Sequence, residues 1–311
     1  MFKARGTSLF VLFLCGSIYG VFAFTSLFVT KSRVRNPKPL SFFASTTPLQ
    51  PFLPSVDPDN VIILKDAAAV SRNIQSIVTE AARKAISERG HFALAIPGGS
   101  VLKMLVNLPS FDEWASKTTL VYVNHKCVAM DDIDRSTHAK AMKLFLGDWE
   151  RAGLNTIVLD GTADGEQEAR RYEEKIKSLE DTKLPRDSRT GLPQFDLALI
   201  GVGDDGHIGS LYPNRDEVLV DESGPWVLCV PMKNPPSITL SLPLMKAASK
   251  VVVAACGVSD KYPQGKSAGM KRAIIDDETL QSFPAAGLRD KATWVMDEAA
   301  ASKLGPNYHI Q

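Results

Sequence analysis

Of the five histidines in this 311-residue chain, only His207 is set among glycines and carboxylates. It lies in GVGDDGHIGSLYPN, residues 201–214, directly after the apolar run FDLALI. A neutral imidazole of ordinary pKa, oriented by a carboxylate such as Asp205, can act as a general base on water near neutral pH. Gly206 keeps the approach to that imidazole open. The same residues also fit G-x-G-x-x-G, the dinucleotide fingerprint, but fail its demands. Asp204 and Asp205 put two carboxylates where a pyrophosphate would sit, and Pro213 comes too soon for a long helix behind the turn. The fingerprint also normally ends the first strand of its domain, whereas this one ends a strand deep in the chain. The stretch therefore reads as the seat of a base, and the bland alternative is a histidine bonded to a loop carbonyl.

A second loop, PGGS at residues 97–100, separates the apolar run FALAI from VLKML. Gly98 and Gly99 permit close backbone approach, Ser100 can cap the helix that follows, and the exposed N–H groups make an anion site. A plain strand-to-helix turn with nothing bound is an equal reading of those four residues. The remaining histidines carry less: His91 starts a strand, His309 lies in the terminal tail, and His125 and His138 flank a polar loop where solvation is expected.

Cys127, Cys229 and Cys256 form no C-x-x-C pair, and their apolar neighbours predict buried thiols in a reducing compartment. No H-E-x-x-H or Cys/His cluster occurs, so neither a metal nor a cofactor is expected.

These loops need a scaffold, and the rest of the chain supplies one. With 44% hydrophobic and 23% charged residues, the composition is that of a globular protein. From Val61, short β-branched runs alternate with segments of helical period, which predicts a single α/β domain with a mostly parallel sheet flanked by helices. About eight strands are expected, at VIIL, FALAI, TTLVYV, TIVL, FDLALIGVG, WVLCV, KVVVAACG and TWVMD. Asp66 caps a first helix, whose apolar face is Val70, Ile74, Ile77, Val78, Ala81, Ala82, Ala85 and Ile86, and Gly90 stops it. Further helices are expected near 136–149, 163–179, 243–249 and 268–276. His207 then stands at the C-terminal end of a parallel strand, where α/β folds form their crevices.

The first 56 residues contain six Lys/Arg and no acid, which leaves 30 basic against 35 acidic residues from position 57 onward. The folded part is mildly acidic, and no nucleic-acid surface is expected. Lys3 and Arg5, an uncharged apolar stretch and small residues near Ala23 have the layout of a secretory signal over 1–23. Residues 24–56, basic, acid-free and rich in Ser, Thr and Pro, read as a transit peptide and linker. The domain is placed at 57–306 and a tail at 307–311. The junction VFAFTS resembles the two-part plastid-import signals of algae with red-algal plastids. That likeness implies delivery to the stroma, with no stable membrane association after processing. Retention in the secretory pathway, or an uncleaved anchor over 6–30, is the alternative.

AIPGGS, FDLALIGVGDDGHIGSLYPN, KNPPSITLSLP and PAAGL…ATWVMDEAAASKL resemble, in order and spacing, the 6-phosphogluconolactonases. The most specific part is G-x-G-x-D-G-H-x-x-S-L-[FY]-P. The resemblance implies the Rossmann-like fold of the sugar-phosphate isomerases and deaminases. It also implies metal-free hydrolysis of 6-phospho-glucono-1,5-lactone in the oxidative pentose phosphate pathway. By the same likeness His207 activates water, Asp205 positions it, and Gly98, Gly99 and Ser100 line the phosphate end, with Ser210, Lys126 and Lys233 as further substrate contacts.

The departures are specific. The family's Asp-Glu-Arg is here Asn124, His125 and Lys126, its Ser-Asn pair is Arg135 and Ser136, and its Arg before ITL is Ser237. Lys126 keeps a charge but not a planar fork, and Lys233 stands one residue out of register. One lost bidentate Arg contact costs ~1.5–3 kcal/mol. A weakened or altered lactonase is favoured because the base loop is intact. A noncatalytic sugar-phosphate-binding homologue, and after it a deaminase or isomerase, are the alternatives.

Overall fold

The computed structural model describes residues 51–257 and 265–310. The signal over 1–23, the transit segment up to residue 50 and Cys15 lie outside them. The strands are β1 (Val61–Leu64), β2 (Phe92–Ile96), β3 (Thr118–Tyr122), β4 (Asn124–Lys126), β5 (Asn155–Ile157), β6 (Leu197–Gly201), β7 (Val227–Val230), β8 (Ser237–Leu240), β9 (Lys250–Ala255) and β10 (Ala292–Asp297). Seven of them form a parallel sheet in the order β1-β10-β9-β6-β2-β3-β5. Every residue of β2 and β3 is buried, which is why neither strand alternates apolar with charged residues.

The chain moves outward from β2 to β3 and β5, then returns to the other side of β2 with β6. The winding direction therefore reverses between β2 and β6. Loops leaving the C-terminal ends of two such strands diverge and open a crevice between them. PGGS leaves β2 and GVGDDGH leaves β6.

The sequence expectation of about eight strands in one sheet is corrected in one respect. WVLCV supplies β7, which belongs to a separate antiparallel sheet of order β4-β8-β7. β4 (NHK) and β8 (SITL) are too short, and β4 too polar, for a two-residue period to stand out.

The first helix, α1 (Ala67–Arg89), starts where Asp66 Oδ1 accepts the Ala69 N–H at 2.8 Å and ends at Gly90 with φ +82°. It buries Val70, Ile74, Ile77, Val78, Ala82 and Ala85 against the sheet, with Ala81 and Ile86 packed at its margin. Next come α2 (Val101–Met104), α3 (Thr137–Ala141), a π-turn at Met142–Leu146, α4 (Gly147–Arg151) and α5 (Gly165–Lys177). Three further helices are α6 (Leu242–Ala247), α7 (Ser267–Ile274) and α8 (Glu298–Ala301). None among the described residues is long and apolar enough to cross a membrane.

The fold begins earlier than the boundary expected at 57. Leu53 N–H donates to Glu278 O at 2.9 Å, Val56 N–H to Ile274 O at 2.8 Å, and the Val56 side chain is core. Arg289, itself buried, donates to the carbonyls of Leu53 and Pro54 and to those of Arg272, Ala273 and Asp276 at the end of α7. The tail at 307–311 also packs: Tyr308 Oη donates to Val56 O, and Ile310 bridges to Ile63.

Candidate active site

After β6 the chain makes a tight loop closed by Val202–Ile208 bridge pairing and by Gly203 N–H donating to His207 O at 2.9 Å. Position 203 must be glycine, because a Cβ there would lie 2.1 Å from His207 Nδ1. Gly206 adopts φ +86°, and a Cβ would meet the Phe283 ring at 2.5 Å. That contact explains the PAAGL segment: Ala285 N–H donates to Gly206 O at 2.9 Å, so the segment clasps the loop from outside. From the other side Lys266, almost fully buried, donates from Nζ to Val202 O at 2.7 Å. The loop that carries His207 is thus held by elements more than fifty residues later in the chain.

His207 is partly exposed. Its Nδ1 lies 2.5 Å from Asp205 Oδ1, which also accepts the His207 main-chain N–H at 3.1 Å. A carboxylate on Nδ1 places the proton there and makes Nε2 the basic nitrogen. Partial burial opposes ionisation of Asp205, but the charge and hydrogen bonds of His207 outweigh it and hold the carboxyl below its usual range. A carboxylate ionised at neutral pH and an imidazole it orients are the parts of a general base for water.

Asn124 ties the crevice together. Its Oδ1 accepts the Gly98 N–H at 3.4 Å, and its Nδ2 donates to Ser210 Oγ at 3.3 Å. Ser210 is buried, and its N–H donates to Thr239 Oγ1 at 3.1 Å. Both loops are therefore joined through one β4 side chain. Lys126 is two residues on and so shares the Asn124 face of β4; it is exposed and sits directly opposite Ser237 on β8. Lys233 Nζ donates to Tyr212 Oη at 2.9 Å, and the Tyr212 ring stands 4.8 Å from the His207 ring.

Two sequence expectations are corrected. Ser100 does not cap the following helix; it is itself in helical conformation and exposed beside Gly99, because α2 is a single short turn. His125 is not solvated but fully buried. Its Nδ1 bonds to Lys126 O at 2.6 Å, and its Nε2 accepts the His138 main-chain N–H at 3.0 Å. Burial pulls its pKa down to about 4. His138 is half-buried, with Nδ1 on Tyr122 Oη at 2.9 Å. This cluster anchors the start of α3, whose Thr137 hydroxyl would lie 3.0 Å from a Cβ at Gly98.

Tyr212 and Lys266 escaped the sequence reading, although Tyr212 lay inside a quoted motif; Asn124 was noted there only as a departure, and its bridging of the two loops was not foreseen. Cys127 is buried, as expected, while Cys229 and Cys256 are half-buried. Burial pushes the Cys127 thiol up to about 12 and the other two to about 11.

Known proteins share the sequence pattern and the fold of this chain. A probable 6-phosphogluconolactonase of Arabidopsis thaliana is 32% identical over 259 residues, covering 78% of this chain and 98% of that protein. A chloroplastic 6-phosphogluconolactonase of the same plant is 31% identical, over 71% of this chain and 68% of its own length. The crystal structure of 6-phosphogluconolactonase from Leishmania guyanensis shares the fold, with a TM-score of 0.61 at 21% identity, covering 82% of this chain and all of that one. The family model described as glucosamine-6-phosphate isomerases/6-phosphogluconolactonase matches residues 65–296, and this chain belongs to that family.

Proposed function

We propose that this protein hydrolyses 6-phospho-glucono-1,5-lactone to 6-phosphogluconate, with His207 as the general base. The observation that carries the reading is the Asp205–His207 pair at the mouth of the crevice between β2 and β6. Water on Nε2 gives its proton to the imidazole and attacks the lactone carbonyl carbon. The resulting oxyanion collapses, the ring C–O bond breaks, and the departing alkoxide takes the proton back from the imidazolium. Asp205 stabilises the cation that exists between the two transfers.

In this reading the Gly98, Gly99 and Ser100 turn, with Lys126 and Lys233, receives the phosphate, and Ser210 helps shape the sugar site. The named relatives are 6-phosphogluconolactonases, which supports the lactonase over the deaminase or isomerase alternative. Asn124 at the family's Asp position favours the second reading, a protein that binds the sugar phosphate without turning it over.

Lactone hydrolysis measured above the spontaneous background separates the two. The purified protein should exceed its His207→Ala variant by roughly 10²–10⁴-fold in kcat. Equal rates would remove the enzyme reading and leave the binding one. The chloroplastic relatives support a plastid destination, which we assign to a two-part address within residues 1–56. A reporter fused to residues 1–55 should reach the plastid stroma, and retention in the secretory pathway would contradict that address.

A further inference from the structure

Tyr212 lies between the two charged ends of the proposed chemistry. Its ring stands 4.8 Å from the His207 ring at an interplanar angle of 32°, and Lys233 Nζ stands 4.6 Å from the same ring centre. The Lys233 ammonium also donates to Tyr212 Oη at 2.9 Å. One aromatic side chain therefore packs against the base and fixes the position of a cation. Lys233 is on the exposed segment just before β8, and among the described residues its ammonium makes no other hydrogen bond or ion pair.

Packing of the Tyr212 ring against the histidine needs no hydroxyl. In this chain the hydroxyl is present and is bound to Lys233. Lys233 stands four residues before Ser237, where the family resemblance implies an arginine.

We propose that Tyr212 is a positioning residue that sets substrate specificity, holding Lys233 so that its ammonium takes the phosphate of the lactone while His207 addresses the carbonyl. This rests on the lactonase reading above. The 4.8 and 4.6 Å separations, laid end to end, keep the ammonium within about 9.4 Å of the imidazole centre, so base and cation can flank one small molecule.

An unanchored lysine gives up rotamer freedom when it grips a phosphate, whereas one already docked on a phenol has less to lose. A tethered ammonium thereby recovers part of what a planar guanidinium fork supplies by its own rigidity. Hydrolysis itself does not require the tether. Its effect should appear in the preference for a phosphorylated over an unphosphorylated lactone.

The test compares 6-phospho-glucono-1,5-lactone with glucono-1,5-lactone on the full chain. Tyr212→Phe keeps the ring and removes the hydroxyl, so the ratio of kcat/KM values for the two lactones should fall roughly tenfold, mainly through KM for the phosphorylated one. Lys233→Met should lower the ratio at least as far, Lys233→Arg should largely restore it, and the Tyr212→Phe/Lys233→Met double variant should be no worse than Lys233→Met alone. Tyr212→Leu, which also removes the ring, should lower kcat on both lactones.

Equal loss on both lactones for Tyr212→Phe, or additivity in the double variant, overturns the proposal. Failure of the lactonase reading looks different: the wild type would match His207→Ala on both substrates. In that event, calorimetric binding of 6-phosphogluconate against gluconate reads the tether directly. Loss of phosphate preference in Tyr212→Phe upholds it, and retention of that preference overturns it.

Discussion

Nδ1 of His207 and Oδ1 of Asp205 are 2.5 Å apart, and the same oxygen holds the His207 main-chain N–H. One carboxylate thus sets both the tautomer of the ring and the shape of the loop beneath it. Asp205→Asn keeps an oxygen and the side-chain volume but loses the charge that steadies the imidazolium. The expected outcome is a fall in kcat of roughly 10²–10⁴-fold, with KM for the phosphorylated lactone little changed. Steady-state kinetics on the two proteins checks it.

Asn124 joins Gly98 to Ser210, so its removal should let the two loops drift without unfolding the sheet below. Asn124→Ala is expected to lower kcat/KM by roughly 10²-fold, the cost of a misplaced substrate. Asn124→Asp can still accept the Gly98 N–H, and Ser210 can turn its hydroxyl to donate, so most of the activity should remain. A loss in Asp equal to that in Ala would show that the bridge is not what matters at this position.

His125 makes stability depend on acidity. Burial is the main cause of its descent from 6.5 to about 4, with His138 and Lys140 adding to it and the Lys126 carbonyl and Glu168 opposing. The unfolded chain therefore takes up the proton first as pH falls. The contribution is complete above about pH 6.5, declines through that window and is gone near pH 4. It amounts to about 3 kcal/mol. His138, also lowered by burial, acts in the same direction. Urea midpoints between pH 7 and 4.5 should decline less in His125→Gln than in the wild type.

Arg289 binds five main-chain carbonyls, two of them in Leu53 and Pro54. Arg289→Met leaves buried acceptors without donors and should cost about 3 kcal/mol or more. Removing residues 1–56 should destabilise the protein more than removing 1–50, because only the longer deletion takes Leu53 and Val56 out of the fold. Thermal unfolding of the two truncations measures the difference.

Gly206→Ala meets both a left-handed backbone and the Phe283 ring, so the loop cannot keep its shape. The expected result is loss of turnover with a modest drop in stability, roughly 1–3 kcal/mol.

What could be read from the sequence was local. Asp66 and Gly90 bracket α1 because each acts within one helical turn of its own position. Likewise the glycines and acids that shape the His207 loop are its immediate neighbours. The features that escaped are long-range. Asn124 meets partners 26 and 86 residues away, and Tyr212 meets Lys233 across 21. His125 read as solvated because its neighbours are polar, yet α3 folds over it and its bonds run to main-chain atoms. Ser100 had the right chemistry for a cap and the wrong backbone, since a one-turn helix begins before the chain has left the preceding bend.

Lys126 and Ser237, more than a hundred residues apart in the chain, are face-to-face partners across β4 and β8. The two positions at which the motif resemblance implies an arginine are therefore one place in space. A guanidinium introduced at one of them changes the surroundings of the other. The double replacement should give an affinity that neither single change forecasts, and a sequence drifting between substrates could cross at this one spot.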